Sequence, residues 1–294
     1  MTNQRKATIS AIVVLMVTLT IAVMITSMWS SSKTKWATDP TTGCHVWAGG
    51  LQRITSITWS GECRDGLAQG FGVFRSFEDG HPADSYEGEY RDGKANGHGK
   101  FVTRDGKSYD GEWRNDEANG QGVSVDATGR YEGEWHEGKP NGHGFLVSIM
   151  GDRYEGDFKD GKESGYGIIV WVNGNRYEGQ VRDNKLNGEG TFIMVNKYRH
   201  EGQWANNLPD GYGARIWTNG DRYDGEWKDG KENGHGVYTF ANGDRYEGAW
   251  MNNSPNGHGI LKTAIRSFDG DWRDGCLESE GTRQAIGRDR SSCP

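Results

Sequence analysis

The sequence predicts an all-β protein: an elongated open array of about ten stacked antiparallel β-hairpins, preceded by one transmembrane helix. Three observations carry that expectation. An aromatic-led motif recurs about every 23 residues between Trp59 and Phe268. Glycine supplies 46 of 294 residues, and 12 Trp and 12 Tyr stand among only 33% hydrophobic residues, so the apolar material is aromatic and evenly spread instead of pooled in one core. The run from Ala7 to Trp29 contains no charged residue.

The chain opens with a short flank, residues 1–6, that carries Arg5 and Lys6. Residues 7–29 read as a transmembrane anchor: as a helix they would be roughly 35 Å long at about 1.5 Å per residue, enough for the hydrocarbon core of a bilayer. Trp29 and Trp36 fall where interfacial aromatics sit. A cleaved export signal is the competing reading; the apolar run is long for one and no A-x-A site follows it. Both readings export the remainder. The basic flank favours a single-pass protein with its N-terminus cytoplasmic and the array in the periplasm or another extracytoplasmic space. Residues 30–56 then form a linker and N-terminal cap, 57–276 the array, and 277–294 a C-terminal cap or tail.

Four cysteines flank the array: Cys44 and Cys63 before or within the first repeat, Cys276 and Cys293 at the last. Three pairings exist formally. The simplest joins Cys44 to Cys63 and Cys276 to Cys293, so that a bridge clamps each open end, and it implies an oxidising compartment. No C-x-x-C pair is present, which speaks against zinc.

The repeats start at Trp59, Tyr86, Tyr109, Tyr131, Tyr154, Tyr177, His200, Tyr223, Tyr246 and Phe268. Glycine stands two positions after every start, and a large ring four positions after most, with Cys63 and Val181 as exceptions. In Tyr131-Glu132-Gly133-Glu134-Trp135 the alternation puts Tyr, Gly and Trp on one strand face and both Glu on the other. A polar loop ending in Asn-Gly should follow, then a second strand opened by Gly-x-Gly, then a turn such as Asn242-Gly243. Strand glycines leave room for neighbouring rings to lie over backbone. A lone hairpin is marginal in water, so the units must stack edge to edge. The first step is 27 residues, and its extra segment from Glu78 to Ser85 reads as a longer turn.

The pattern Tyr223-Asp224-Gly225-Glu226-Trp227, with Gly230 and Gly234-His235-Gly236 after it, resembles the MORN (membrane occupation and recognition nexus) repeat over residues 57–276. The resemblance implies scaffolding, binding of partner peptides and membrane-associated assembly. His200 and Val181 depart from the pattern.

The same residues bear on function. The acidic balance, formally −7, disfavours nucleic acid, which needs a basic face. His98, His143, His235 and His258 share one slot, but equivalent slots lie about 10 Å apart, too far for one ion. Neither a metal nor a cofactor is expected. No phosphate loop and no nucleophile elbow is present, so no catalytic residue is assigned. The expected function is a protein or peptide scaffold, with Trp113, Trp135, Trp204, Trp227 and Trp250 as candidate partner-binding rings and Trp171 and Trp217 as further ones. An exported glycan or cell-wall binder is the alternative, and direct lipid contact by the array a weaker one.

Overall fold

The computed structural model describes residues 36–49, 53–278, 284–287 and 293. The flank 1–6 and the anchor expected over 7–29 lie outside the described residues. Among the described residues no helix is long and apolar enough to cross a membrane. Every regular element there is a β-strand, and the chain divides into two compact blocks, one ending at Val172 and the other beginning at Asn173.

The first block opens with a small hairpin of β1 (Trp36–Thr38) and β2 (His45–Trp47), followed by β3 (Ser56–Trp59) and β4 (Glu62–Arg64). Long strands β5 (Leu67–Glu78) and β6 (His81–Arg91) come next, and the regular hairpins then begin with β7 (Lys94–Val102) and β8 (Ser108–Arg114). Strands β9 (Glu117–Asp126), β10 (Gly129–His136), β11 (Lys139–Ser148), β12 (Arg153–Lys159) and β13 (Lys162–Val170) complete the block. The second block runs through β14 (Arg176–Arg182), β15 (Lys185–Met194), β16 (Tyr198–Ala205), β17 (Leu208–Trp217) and β18 (Arg222–Lys228). It ends with β19 (Lys231–Thr239), β20 (Arg245–Met251), β21 (Ser254–Lys262), β22 (Ser267–Arg273) and β23 (Cys276–Glu278). From β5 onward, strands consecutive in sequence pair antiparallel within each block, as stacked hairpins require.

The alternation read from the sequence sets the two faces. In β10, Tyr131, Gly133 and Trp135 are buried while Glu132 and Glu134 are exposed. Glycine faces glycine across the ladder, Gly133 opposite Gly144 and Gly144 opposite Gly156. The Tyr131 ring lies flat on this seam: a Cβ on Gly144 would stand 2.5 Å from Tyr131 Cε2. On the outer face Arg130 reaches Glu132 and Arg245 reaches Glu247, each at 2.6 Å. These pairs are well exposed and contribute about 0–1 kcal/mol each.

The turns differ from the sequence reading. Each hairpin closes over two residues that are both left-handed, as in Glu137 (φ 48°) and Gly138 (φ 72°), or Asn206 (φ 50°) and Asn207 (φ 73°). Two left-handed residues in succession match the right-handed twist of the flanking strands. The Asn-Gly assigned to the loop lies inside the second strand instead, where Gly142 (φ 80°) accompanies the register shift between Gly133 and Trp135. The segment Glu78–Ser85 is not a longer turn either. It lengthens β5 and β6, which close tightly over Asp79 and Gly80, and Ser76 Oγ holds the bulged end by accepting the Asp84 N–H at 2.9 Å.

Successive hairpins are tied along both edges. On the turn edge, the Gly138 N–H donates to the Ala118 carbonyl (3.0 Å), and the Gly230 N–H to that of Pro209 (2.8 Å). On the loop edge, the Val172 N–H donates to Asp152 Oδ1 (2.8 Å) and the Ala241 N–H to Asp221 Oδ1 (2.9 Å).

The ends are closed by disulfides Cys44–Cys63 and Cys276–Cys293. Cys63 stands where a ring stands in other repeats, so a covalent bond replaces ring packing there. The buried Asp39 carboxylate accepts the N–H groups of Thr41 (2.8 Å) and Trp59 (3.0 Å), fixing the first hairpin on the array. At the other end Cys276 bridges to Ala285, and the Ile286 N–H donates to the Gly275 carbonyl at 2.8 Å.

Candidate partner-binding face

The buried face is a ladder of rings. Tyr131 meets Trp135 of its own repeat at 5.2 Å and Phe158 of the next at 4.9 Å, both edge to face. Tyr223 meets Trp227 at 5.2 Å and Trp250 at 5.1 Å in the same way. Such contacts add roughly 0.5–1.5 kcal/mol each beyond area burial. The polar handles are satisfied internally. Tyr131 Oη–H donates to the Glu134 carbonyl (2.9 Å), and Trp135 Nε1–H to the Gly122 carbonyl (3.2 Å). Burial pushes the Tyr131 and Tyr223 hydroxyls far above the ordinary phenol range.

This ladder contains all five tryptophans expected to meet a partner. Trp113, Trp135, Trp204, Trp227 and Trp250 are 3 to 9% exposed, and each indole N–H donates to a glycine carbonyl of the preceding repeat. They hold repeats together and leave little ring area for a partner. Trp171 and Trp217 are half-buried.

Accessible ring area beside this ladder includes a group in the second block, on the second strands and at the loop edge. Trp217, Tyr238, Phe240 and Phe268 are half-buried against the core built by Tyr223, Trp227, Tyr246 and Trp250. The first three form a connected strip: Trp217 to Tyr238 at 5.5 Å, Tyr238 to Phe240 at 4.7 Å, with Tyr238 stacked on Trp250 at 5.9 Å.

Three polar residues interrupt the ladder beside this strip. His200 replaces the leading tyrosine of its repeat and is fully buried, wedged between Trp204 (5.2 Å) and Trp227 (4.8 Å). Neither ring nitrogen has a partner, and burial together with the nearby Arg215 charge pulls its pKa down to about 3. Arg215 lies directly across the ladder from His200, with its guanidinium over Tyr198 (4.4 Å) and Trp227 (4.2 Å). Glu232, opposite Trp227, is 5% exposed, and burial raises its carboxyl to about 7 against a smaller pull from Arg215.

His200 was legible as a departure from the repeat. Arg215 and Glu232 were not singled out, although aligning second strands exposes them. The Arg215 slot holds Phe74, Phe101, Leu146, Ile169, Phe192, Tyr238 and Leu261 in other repeats and Ser124 in one, and the Glu232 slot holds Ala118, Pro140, Leu186 or Pro255. A second glutamate, Glu163, shares the latter slot in the first block, where burial raises its carboxyl to about 8.

On the outer face His143 sits 3.4 Å from Asp157, and His258 lies 3.2 Å from Asp269. Among the described residues no group of three or more His, Cys, Asp or Glu is placed to hold a metal ion.

Nine segments match the family model described as MORN repeat: 59–77, 86–108, 109–129, 131–153, 154–176, 177–197, 200–222, 223–245 and 246–264. They begin at nine of the ten starts read from the sequence and span more than half of the chain. No curated protein matches. Among solved structures, a similar chain is the TCP domain of SAS-4 (dCPAP) from Drosophila melanogaster, in complex with a proline-rich motif of Ana2 (dSTIL). It is 13% identical, with a TM-score of 0.30, covering 58% of this chain and 88% of that one.

Proposed function

The chain belongs to the MORN repeat family, and from that premise we propose that it is a non-catalytic, membrane-tethered scaffold that binds a protein or peptide partner along its ring face. The observation that supports this most is the half-buried strip Trp217–Tyr238–Phe240 in the second block. Half-buried aromatic rings present large, rigid contact area, and an extended segment laid across them gains burial without unfolding the array. The partner-facing role passes from the five ladder tryptophans to this strip.

The test is site-directed photo-cross-linking in native membranes. A photoreactive residue at Phe240 should capture one discrete protein; the same residue at Tyr212, 62% exposed on the opposite face, should not. Capture only from Tyr212, or from neither, overturns the reading. A carbohydrate adduct from Phe240 would move it to the glycan class.

The charge-free run 7–29 supports the tether, and the two disulfides support an array outside the cytoplasm. A membrane-impermeant maleimide applied to intact cells should label the cysteines only after reduction. Labelling that needs lysis but no reductant would place the array in the cytoplasm.

A further inference from the structure

Among the described residues Arg215 forms no salt bridge, and it stands in a place built from rings. Its guanidinium carbon lies 4.4 Å from the Tyr198 ring and 4.2 Å from the Trp227 ring, supplied by the strands on either side of β17. Trp217 stands 6.0 Å away. Rings over a guanidinium satisfy its faces by cation–π attraction and leave its edge, where all five N–H donors point, to hydrogen bonding. Among the described residues its Nε is buried with no partner, while the side chain as a whole is half-buried. The nearest candidates do not answer it. His200 across the ladder is a would-be cation, and Glu232 feels the charge but forms no ion pair with it among the described residues. A desolvated, unpaired charge is unfavourable unless something else meets it.

We propose that Arg215 is the seat for a side-chain carboxylate of the partner, an Asp or Glu within an extended segment lying on the Trp217–Tyr238–Phe240 strip. The proposal rests on the ring-face reading above and adds the chemistry of recognition. A planar guanidinium offers two parallel N–H donors to the two oxygens of a carboxylate, a fit that a lysine cannot reproduce. An internal side chain suits the site better than a chain terminus, because ring surface extends over the neighbouring strands: Tyr198 and Trp217 face each other across the β16–β17 ladder, and Trp217 continues to Tyr238. The protein as a whole is acidic, with 41 Asp and Glu against 34 Lys and Arg, so attraction at a distance is weak and selection happens at contact.

The full chain, held in detergent micelles, is titrated with three small probes followed by saturation-transfer NMR. N-acetylglutamic acid α-amide carries a side-chain carboxylate. N-acetylglutamine α-amide is its neutral twin. N-acetylleucine carries its carboxylate at a chain end. The first should bind about tenfold or more tightly than the second, and Arg215→Leu should erase the difference. Leucine already fills the equivalent slot at Leu146 and Leu261, so this variant should fold, with its thermal midpoint as the check. Equal binding of acid and amide, binding of neither, or a preference that survives Arg215→Leu overturns the proposal. N-acetylleucine binding as tightly as the first probe overturns the side-chain assignment in favour of a terminus. The Phe240 cross-link repeated in the Arg215→Leu protein separates the two readings: an undiminished adduct without carboxylate preference leaves the ring face standing and removes the anion seat.

Discussion

In the repeat that begins at Tyr131, the polar atoms of the leading rings have partners. The tyrosine hydroxyl donates to Glu134, the indole to Gly122, and the rings lock edge to face with their neighbours. In the repeat that begins at His200 the same plan carries different atoms. The imidazole fills the tyrosine's place but reaches no carbonyl, and the residue across the ladder is Arg215 where Leu146 stands in the other. One repeat is arranged for cohesion alone. The other gives up polar satisfaction on the same backbone, and such local violations cluster where a protein does its work.

Removing a ring should break the cohesive repeat most. Trp135→Ala is expected to destabilise by about 3–5 kcal/mol, read as urea unfolding and as lost amide protection in β9–β12. Trp204→Ala, in the repeat that begins at His200, should cost about 1 kcal/mol less, because the His200 ring packed against it gains water when it goes. Equal losses would erase the distinction between the repeats.

Converting one repeat into the other comes next. His200→Tyr combined with Arg215→Leu should raise stability by about 1–3 kcal/mol, since two poorly satisfied groups are replaced by residues with known places in the array. A lower thermal midpoint would mean that the guanidinium stack holds the second block together.

Acid should act through His200. Its folded-state value of about 3 lies below the ordinary 6.5, so between those values the unfolded chain takes up a proton that the folded chain refuses, and stability falls as pH drops through this range. Glu163 and Glu232 act with the opposite sign: raised from 4.5 to about 8 and about 7, they keep protons in the folded state, and stability falls as pH rises toward those values. Denaturation midpoints across pH 3–9 should show both limbs, and His200→Tyr should lack its share of the acid one. A His200→Tyr profile parallel to the parent would refute the assignment.

The smallest expected contrast is a single hydroxyl. Tyr131→Phe should destabilise by about 1 kcal/mol through the lost bond to Glu134, while His200→Phe should be neutral or stabilising. Denaturant midpoints resolve the difference in sign.

The hairpin plan, its two faces and the rings over glycine were legible because a two-residue period and a repeating Tyr-x-Gly-x-Trp leave no other arrangement. Turn placement was not. Each repeat offers two turn-competent dipeptides close together, Glu137-Gly138 and Asn141-Gly142, and only the paired strands decide which closes the hairpin and which becomes a bulge. The burial of the tryptophans was not legible for a related reason: alternation shows that Trp135 shares a face with Tyr131, but not that rings of adjacent repeats close over it. Arg215 is not legible because its slot on the second strand carries no fixed residue type, so a departure there does not stand out as His200 does in the leading slot.

The edge ties have a consequence for growth. Each hairpin presents to its successor what its predecessor presents to it, with the Gly161 amide taking the Pro140 carbonyl as Gly138 takes that of Ala118. Within a block such repetition is local, each hairpin bonding only to its neighbours, and nothing in the repeating unit says where to stop. The two cystines fasten short segments over the terminal repeats: Asp39 binds the Trp59 amide at one end, and at the other the Ile286 amide takes the Gly275 carbonyl and the Leu277 amide that of Gln284. Reduction should therefore do more than loosen two ends. It should turn a capped array into a chain competent to polymerise.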